Sequence, residues 1–545
     1  PFFFRAKPFR IAFPTTMPSA HPCWLQERAA GALLHISSLP GSHGIGNLGT
    51  PARRFLDFLA EAGLQYWQIC PIGPTGYGDS PYQSFSSFAG NAYFLDLKPL
   101  IEEGLLEPAE TAPLRALPHD HVDYGGLYAE FWSVLQLAWQ RFHRERRDLF
   151  AGRSFREFRE RNASWLDGYA AFMGLKAWHD GRPWPEWELP WRRYEDVDPA
   201  ALPAPVREVA EPHRFYQFLF YTQWEQLRAA ATDRGIRIIG DLPIFTSLDS
   251  ADCWQFAEVF RLDDDGQPLA VAGVPPDYFS EKGQFWGNPL YDWDYLRSTD
   301  YAWWVQRLGH AFGCYDVLRL DHFRAFDTYW EIPAGTDDPR EGTMREGPGQ
   351  HFFDRIGEQL PRTPIIAEDL GYITQGVVGL RRHAGLPGMK VLQFGYGHDD
   401  NNVNLPHFHQ PESVVYTGTH DNDTTRGWLR SLSPEQAEAT RRYYSLPPDA
   451  DSAWPFIKAA YASVARLAVL PVQDLLDLGS EARFNRPGTS EGNWRWRLRE
   501  EQLERLRGEA APRLREYRDL FDRTGDQRQR EYSAPPGHEA TASNS

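Results

Sequence analysis

The stretch "VLRLDHFR", residues 317–324, begins like a buried β-strand and ends in a cluster of charge. Its first residues are apolar, whereas four ionisable side chains fall within its last six residues. Burial of an unpaired charge is costly, so such a cluster must be paired, solvated or functional. The four residues are Arg319, Asp321, His322 and Arg324.

Seven further apolar runs, rich in β-forming residues, recur along the chain between helix-like segments. This alternation is typical of parallel strands joined by helical crossovers. Eight strand–helix units favour an α/β fold with a closed (β/α)8 barrel, the TIM barrel, over an open sheet. The predicted strands are residues 32–36, 65–72, 236–245, 315–323, 364–370, 389–394, 413–421 and 468–476.

The connections between these strands are uneven, which indicates inserted subdomains. The second and third strands are separated by a long connection that contains a charged helical stretch at residues 131–150. A connection from residue 246 to about 300 is rich in Gly, Pro and aromatic residues, as functional loops often are. We predict a catalytic barrel over residues 23–524 with large helical and loop insertions at about 99–232 and 246–300, closed by a helix at 500–521.

The composition of the 545-residue chain argues against several classes of protein. Its net charge of -17, without a basic tract, opposes binding to nucleic acid or an anionic membrane. No apolar run approaches the roughly 20 residues that span a bilayer. Four widely spaced cysteines predict free thiols and a cytoplasmic location. Residues 1–22 are predicted to be a disordered extension, and residues 525–545 a disordered tail.

Polar residues terminate five of the predicted strands, and the first strand offers a histidine. In a (β/α)8 barrel, catalytic groups lie at the carboxyl ends of the strands. A single Asp after a strand is most often a helix N-cap, but five such strand ends favour a shared cavity. Carboxylates that converge there separate into a proton donor and an ionised group. The residues are His35, Asp241, Arg319, Asp321, His322, Glu368, Asp369, His420, Asp421, Asp423, Gln473 and Asp474.

This division between two carboxyl groups suits the cleavage of a glycosidic bond. One carboxylate attacks the anomeric carbon while a protonated carboxyl group donates to the departing oxygen. Because the fourth and fifth strands are neighbours, Asp321 and Glu368 can lie about 5 Å apart, as a retaining mechanism requires. Arg319 shares a strand face with Asp321 and can keep it ionised. His420 and Asp421 are candidates for binding sugar hydroxyls.

The motifs at these strand ends resemble those of a known family. "RLDHFR" (319–324), "AEDLG" (367–371) and "THDND" (419–423) are similar to motifs of the α-amylase superfamily, and more closely to the 4-α-glucanotransferase (amylomaltase, or disproportionating enzyme) family. The resemblance extends from about residue 31 to residue 497. It includes "AGVPPDYFSEKGQFWGNPLY" (272–291) and "NRPGTSEGNWRWR" (485–497) in the same order.

The resemblance implies a role for each matching residue. Asp321 corresponds to the family's nucleophile, Glu368 to its general acid/base, and Asp421 to the carboxylate that stabilises the transition state. The implied substrate-binding residues are Arg319, His420, Tyr82, Ser80 and Asp241, with Gln284 and Trp286 in a loop that resembles a lid over the acceptor side.

The implied reaction transfers α-1,4-glucan segments between maltooligosaccharides by a retaining double displacement through a covalent glucosyl-Asp intermediate. The expected partners are an α-1,4-glucan or maltooligosaccharide donor and a glucose or glucan acceptor. No cofactor and no metal ion are expected. The protein is expected to be a monomer or a weak homodimer.

Three alternatives remain open from the residues. A hydrolytic α-glucanase shares the same three carboxyl groups and uses water as the acceptor. A metal-dependent barrel hydrolase could use the carboxylates and histidine at the third and seventh strand ends, although the first strand lacks the His-x-His pair that such sites usually need. A non-catalytic glucan-binding protein would be expected to lack Asp321 or Glu368, and the chain has both.

Overall fold

Eight parallel strands form a closed barrel at the centre of the protein, in the order in which they follow along the chain. The structure is a computed structural model that describes residues 24–525 except 200, 277–281, 362, 396–401 and 490. The ring closes where the first strand pairs in parallel with the eighth, so the predicted (β/α)8 barrel is confirmed. The strands are β1 (Ala29–Leu33), β2 (Tyr66–Gln68), β3 (Arg237–Leu242), β4 (Val317–Leu320), β5 (Ile365–Ala367), β6 (Gly388–Val391), β7 (Ser413–Tyr416) and β8 (Leu467–Pro471).

Most barrel strands are shorter than the apolar runs that predicted them. The eighth run extends to residue 476, whereas β8 ends at Pro471 and a short helix, Val472–Leu475, follows. Gln473 and Asp474 therefore lie in a helix and do not terminate a strand, contrary to the sequence prediction. A short apolar run is equally compatible with a strand and with a buried helical turn, which explains the error.

The barrel strands bury side chains on both faces. Val317 of β4 packs in an interior cluster with Ile239, Ile366 and Val414, while Leu318 and Leu320 pack in the larger core that the surrounding helices share. Since side chains two residues apart share one strand face, Arg319 points to the same side as Val317. Arg319 is therefore a charged side chain in the barrel interior, near the carboxyl end of its strand.

Helices cover the outside of the barrel. The helix Thr50–Ala62 follows β1 and packs against both Ala204–Thr232 and the C-terminal helical segment. That segment, predicted as one helix over 500–521, comprises α-helices Glu500–Arg505 and Ala511–Leu520 joined by a π-helical stretch, Leu506–Ala510. The remaining α-helices of the described residues outside the first insertion are Ala251–Gln255, Trp293–Ser298, Ala302–Cys314, Gly349–Gln359, Gln375–His383, Thr425–Ser431, Pro434–Tyr444 and Trp454–Ala462.

The first insertion is helical, as its sequence predicts. The helix predicted at residues 131–150 begins earlier, at Tyr124, because the Asp123 side chain accepts the N–H of Gly126 and caps it. It ends at Arg144, before the short strand Leu149–Phe150 pairs with Arg153–Ser154. The other helices of this insertion are Lys98–Glu102, Ala112–Arg115, Phe155–Trp178 and Ala204–Thr232.

The second insertion, predicted as a loop, contributes half of a four-stranded antiparallel sheet. Its strands Ala270–Val274 and Gln284–Pro289 join two strands that follow β4, Thr328–Pro333 and Thr343–Glu346. The order across the sheet is 343–346, 328–333, 270–274 and 284–289. We call this the cover sheet. These strands were not predicted because several of them contain glycine or proline, and both residue types are uncommon in strand interiors.

The predicted extension at residues 1–22 and tail at 525–545 lie outside the described residues, apart from Gly525. None of the helices in the described ranges is both long and apolar enough to cross a membrane.

Candidate active site

A cavity of about 1270 Å³ opens at the carboxyl ends of the barrel strands. Its walls come from the ends of β4, β5 and the loop after β7, from the segment after β2, and from the cover sheet. Asp241 lies behind this wall, in contact with two residues that form it. The other predicted site residues all line the cavity: Ser80, Tyr82, Gln284, Trp286, Arg319, Asp321, Glu368, His420 and Asp421.

Asp321 and Glu368 follow directly after two paired strands. Leu320 of β4 is in register with Ala367 of β5, so the two carboxyl-bearing residues are neighbours at the end of the ladder. The N–H of Asp321 donates to the carbonyl of Leu242 at 3.0 Å, and the N–H of Glu368 donates to that of Leu320 at 3.1 Å. The hydrogen bonds that build the barrel therefore also fix the main chain of both residues.

Arg319 joins two carboxylates beneath the cavity. It is 2% exposed, and its Nη1 donates to Oδ1 of Asp321 and to both carboxylate oxygens of Asp241, each at 2.8 Å. Burial opposes the charged guanidinium, but the two carboxylates outweigh it and raise the pKa of Arg319. Burial also raises the pKa of Asp241, which Arg319 partly offsets. Within the charge cluster of residues 319–324, Arg319 and Asp321 are therefore paired.

Glu368 has a different environment from Asp321. Its two carboxyl oxygens accept the backbone N–H groups of His322 at 2.8 Å and Leu370 at 3.0 Å. Desolvation by the surrounding protein raises the pKa of Glu368 to about 8; Arg319 opposes this shift and Asp321 adds to it. A carboxyl group with this pKa is largely protonated at neutral pH and is able to act as a proton donor.

His322 turns the chain immediately after Asp321. Its φ of 48° and ψ of 49° lie in the left-handed region, which is costly for a residue with a Cβ and is concentrated at functional sites. The turn brings its ring into the cavity, where it packs edge-on against Trp286 with centroids 4.8 Å apart. If the strand continued, His322 would point to the opposite face from Asp321. The turn is what places the His322 ring in the cavity.

Tyr82 and His420 connect Asp241 to the third carboxylate. The Tyr82 hydroxyl donates to Oδ2 of Asp241 at 2.8 Å and lies 2.8 Å from Nε2 of His420, and the two rings stack. The same Nε2 lies 3.3 Å from Oδ2 of Asp421. Burial opposes the charged imidazolium, but Asp421 outweighs it and raises the pKa of His420. A proton on Nε2 of His420 supplies an N–H to Asp421.

Asp421 is held ionised by its neighbours. Burial opposes its charge, but His420 and the amide of Asn485 outweigh burial and hold the pKa of Asp421 below its usual range. Nδ2 of Asn485 donates to Oδ1 of Asp421 at 2.6 Å, and Arg483 donates to its backbone carbonyl at 2.9 Å. The site therefore combines a carboxyl group of raised pKa at Glu368 with one of lowered pKa at Asp421.

Sequence reasoning missed Asn485 and Arg483 as site residues. Asn485 opens the "NRPGTSEGNWRWR" motif, which was quoted for the resemblance but given no role. Trp494 of the same motif packs beside Tyr82 and His420, with ring centroids 5.8 and 6.0 Å away. The motif was therefore the signal in the sequence that could have identified these residues. Its role in the structure is to hold Asp421 through Asn485.

Several predicted strand-end residues have partners outside the main cavity. Asp369 accepts the N–H of Met389 and pairs with Arg381, and Asp423 accepts the Ser480 hydroxyl. These contacts are structural. Asp474 accepts the hydroxyls of Thr417 and Thr425, and His35 and Gln473 line a separate small cavity behind His420. Among the described residues, no group of three or more His, Cys, Asp or Glu side chains is arranged to hold a metal ion.

The cover sheet carries two of the predicted residues in the wall of the cavity. Gln284 and Trp286 lie on the strand Gln284–Pro289, and the indole N–H of Trp286 donates to Oε1 of Gln284 at 3.2 Å. The Trp286 ring also packs against Phe245, which follows β3. Strand pairing and ring packing together hold this wall of the cavity.

Known proteins resemble this chain over most of its length. Residues 34–503 match the 4-alpha-glucanotransferase family. The chain is 49% identical over 492 residues to a 4-alpha-glucanotransferase of Thermus thermophilus, which covers 89% of this chain and 96% of that protein. It is 42% identical over 487 residues to one of Streptococcus pneumoniae, covering 88% and 95%.

A solved structure matches over a similar extent. The amylomaltase of Streptococcus agalactiae in complex with acarbose superposes with a TM-score of 0.86 at 38% identity, over 91% of this chain and 100% of that one. The matches extend across the barrel, the cover sheet and the strand ends that carry the acidic residues. The chain therefore belongs to the 4-α-glucanotransferase family.

Proposed function

We propose that Asp321, Glu368 and Asp421 transfer α-1,4-glucan segments by a retaining double displacement. The observation that carries this proposal is the contrast between neighbouring strand ends. Asp321 faces the Arg319 guanidinium, whereas desolvation raises the pKa of Glu368 to about 8. Such a pair provides a nucleophile and a proton donor on one side of a sugar cleft.

In the first step, a carboxylate oxygen of Asp321 attacks the anomeric carbon of the donor. The bond from that carbon to the glycosidic oxygen breaks, and Glu368 gives its proton to the departing oxygen. The reducing-end fragment leaves, and the remaining glucan segment is bound covalently to Asp321. Asp421 adds negative charge beside the oxocarbenium-like transition state.

In the second step, the 4-hydroxyl group of an acceptor attacks the same carbon. Glu368, now ionised, takes the hydroxyl proton while the bond to Asp321 breaks and a new α-1,4 bond forms. Two inversions at the anomeric carbon give net retention. Water in place of the acceptor would give hydrolysis, so the acceptor side of the cleft decides the product.

The donor is an α-1,4-glucan or a maltooligosaccharide, with maltotriose as a sufficient substrate, and the acceptor is glucose or a second glucan. Gln284 and Trp286 cover the acceptor side and reduce access of water to the intermediate. All groups used in this chemistry come from one chain, which is consistent with a monomer or weak homodimer. The described cysteines, Cys70, Cys253 and Cys314, are buried free thiols, which supports a cytoplasmic location.

Incubation with maltotriose alone tests the transfer reaction. We expect glucose together with a ladder of maltodextrins longer than maltotriose, resolved by chromatography. Glucose and maltose without any longer product would identify a hydrolase and contradict the proposal.

A further inference from the structure

Tyr372 is an exposed aromatic residue at the rim of the active-site cavity. It lies four residues beyond Glu368 in the loop after β5, lines the cavity, and is 68% exposed. An aromatic ring combines a large apolar face with a polar tip, so its exposure beside a polar cleft suits contact with a ligand. None of the proposed catalytic steps uses this ring.

Arg324 holds this rim residue in place. Its Nη1 donates to the backbone carbonyl of Tyr372 at 3.0 Å, and its guanidinium carbon lies 5.5 Å from the centroid of the Tyr372 ring. Its Nη2 also lies 3.6 Å from Sδ of Met344 in the cover sheet. Arg324 belongs to the short helical turn Phe323–Phe326 that follows His322. The ring is thus tied to the same segment that carries Asp321.

The position of Tyr372 relative to Glu368 identifies the side of the cleft. In the proposed mechanism, Glu368 protonates the departing oxygen, so the leaving fragment and later the acceptor bind on its side. His322 lies beside Glu368, because its N–H donates to the carboxyl group, and the Trp286 ring packs against the His322 ring. Tyr372 lies farther along this wall, where the cavity meets solvent.

We propose that Tyr372, positioned by Arg324, is a stacking platform for an outer glucose unit of the acceptor. This inference rests on the proposed role of Glu368. The apolar face of a pyranose stacks on the ring, while its hydroxyl groups remain in water. A single glucose occupies the inner position beside Glu368, whereas maltotriose extends outward to the ring. Tyr372 therefore sets a preference for longer acceptors.

The test compares two acceptors with one common donor. Amylose is supplied at a fixed concentration, and the incorporation of radiolabelled glucose or radiolabelled maltotriose into longer chains is measured over a range of acceptor concentrations. We expect Tyr372→Ala to raise the apparent KM for maltotriose by about three- to tenfold, the strength of one aromatic contact, without a matching change for glucose. Because both acceptors are tested with the same donor, the ratio of their apparent KM values does not depend on donor binding.

Three further variants sharpen this test. Tyr372→Phe keeps the ring and should retain the wild-type ratio, because the platform needs the ring face and not the hydroxyl. Arg324→Met should shift the ratio in the same direction as Tyr372→Ala, since the ring loses its support. Trp178→Ala removes a ring that is 49% exposed at the end of the helix Phe155–Trp178, outside the cavity, and should leave both KM values unchanged.

If Tyr372→Ala changed the apparent KM for glucose and for maltotriose equally, or changed neither, the proposed role of Tyr372 would be wrong. Wild-type transfer by Glu368→Gln would instead overturn the proposed mechanism, so the two failures are distinguishable.

Discussion

The backbone N–H of His322 donates to Oε2 of Glu368 at 2.8 Å, across the junction between β4 and β5. His322 is also the residue that follows Asp321, so the peptide unit between these two residues supplies the N–H that binds the carboxyl group. The proposed nucleophile and the proposed acid/base are therefore linked through one residue of main chain. A substitution of the Asp321 side chain leaves this hydrogen bond in place, whereas a substitution of Glu368 changes its acceptor.

Glu368→Gln should reduce kcat by roughly 10²- to 10⁴-fold, since proton donation to the departing oxygen is lost. Sugar binding should stay nearly unchanged, because the amide has almost the same shape as the carboxyl group and keeps one of its two acceptor oxygens. Single-turnover kinetics and calorimetric titration with a maltooligosaccharide measure the two effects. A variant with wild-type turnover would remove Glu368 from the acid/base role.

The rate of the first step should fall as pH rises through about 8. Desolvation raises the pKa of Glu368 to about 8, and the protonated form is the one that donates, so activity is present below this pH and lost above it. Three neighbouring charges also contribute to the pKa of Glu368: Arg319 lowers it, and Asp321 and Asp369 raise it. The pH profile of kcat/KM for maltotriose measures this limb, which should be absent from the residual activity of Glu368→Gln.

Removal of the amide of Asn485 should shift the acidic side of the same profile to higher pH. Its hydrogen bond contributes to holding the pKa of Asp421 below the usual range, so Asn485→Ala raises that pKa, and Asp421 becomes protonated at a higher pH than in the parent enzyme. An acidic limb at the same pH in both proteins would show that Asn485 does not tune this carboxylate.

Arg319→Met should destabilise the fold by about 3–5 kcal/mol, because Asp241 would remain buried without its compensating cation. The additional change Asp241→Asn should recover part of this loss, since it removes the uncompensated charge. Urea unfolding monitored by tryptophan fluorescence measures the free energy of unfolding for each variant. A double variant no more stable than Arg319→Met would show that the pair does not act through charge.

Tyr82→Phe should lower kcat/KM by about ten- to a hundredfold while the fold stays intact. The change deletes one hydroxyl that binds Asp241 and lies against His420, and hydrogen bonds to charged groups contribute about 1.5–3 kcal/mol. Steady-state kinetics with maltotriose measure the loss, and the thermal unfolding midpoint provides the control for folding.

The barrel was predictable because each of its strands is a local apolar run, and because helices separate the runs. Asp321 and Glu368 were predictable as neighbours because their strands pair in chain order. The cover sheet was not, since its four short strands come from both sides of β4 in the chain and three of them contain glycine or proline. Asn485 reaches Asp421 across 64 positions, a contact that no local pattern encodes. Asp474 was misassigned because a helical turn after β8 continues the apolar pattern of the strand.

The cover sheet takes two strands from the chain before β4 and two from the chain after it. Its outer strand, Thr343–Glu346, is exposed at every residue, yet Met344 faces the cleft. Substitutions there reshape the acceptor side without disturbing the packed interior of the barrel. We therefore expect substitutions along this edge to change the length of glucan that is accepted while the proposed chemistry at the ends of β4 and β5 stays the same.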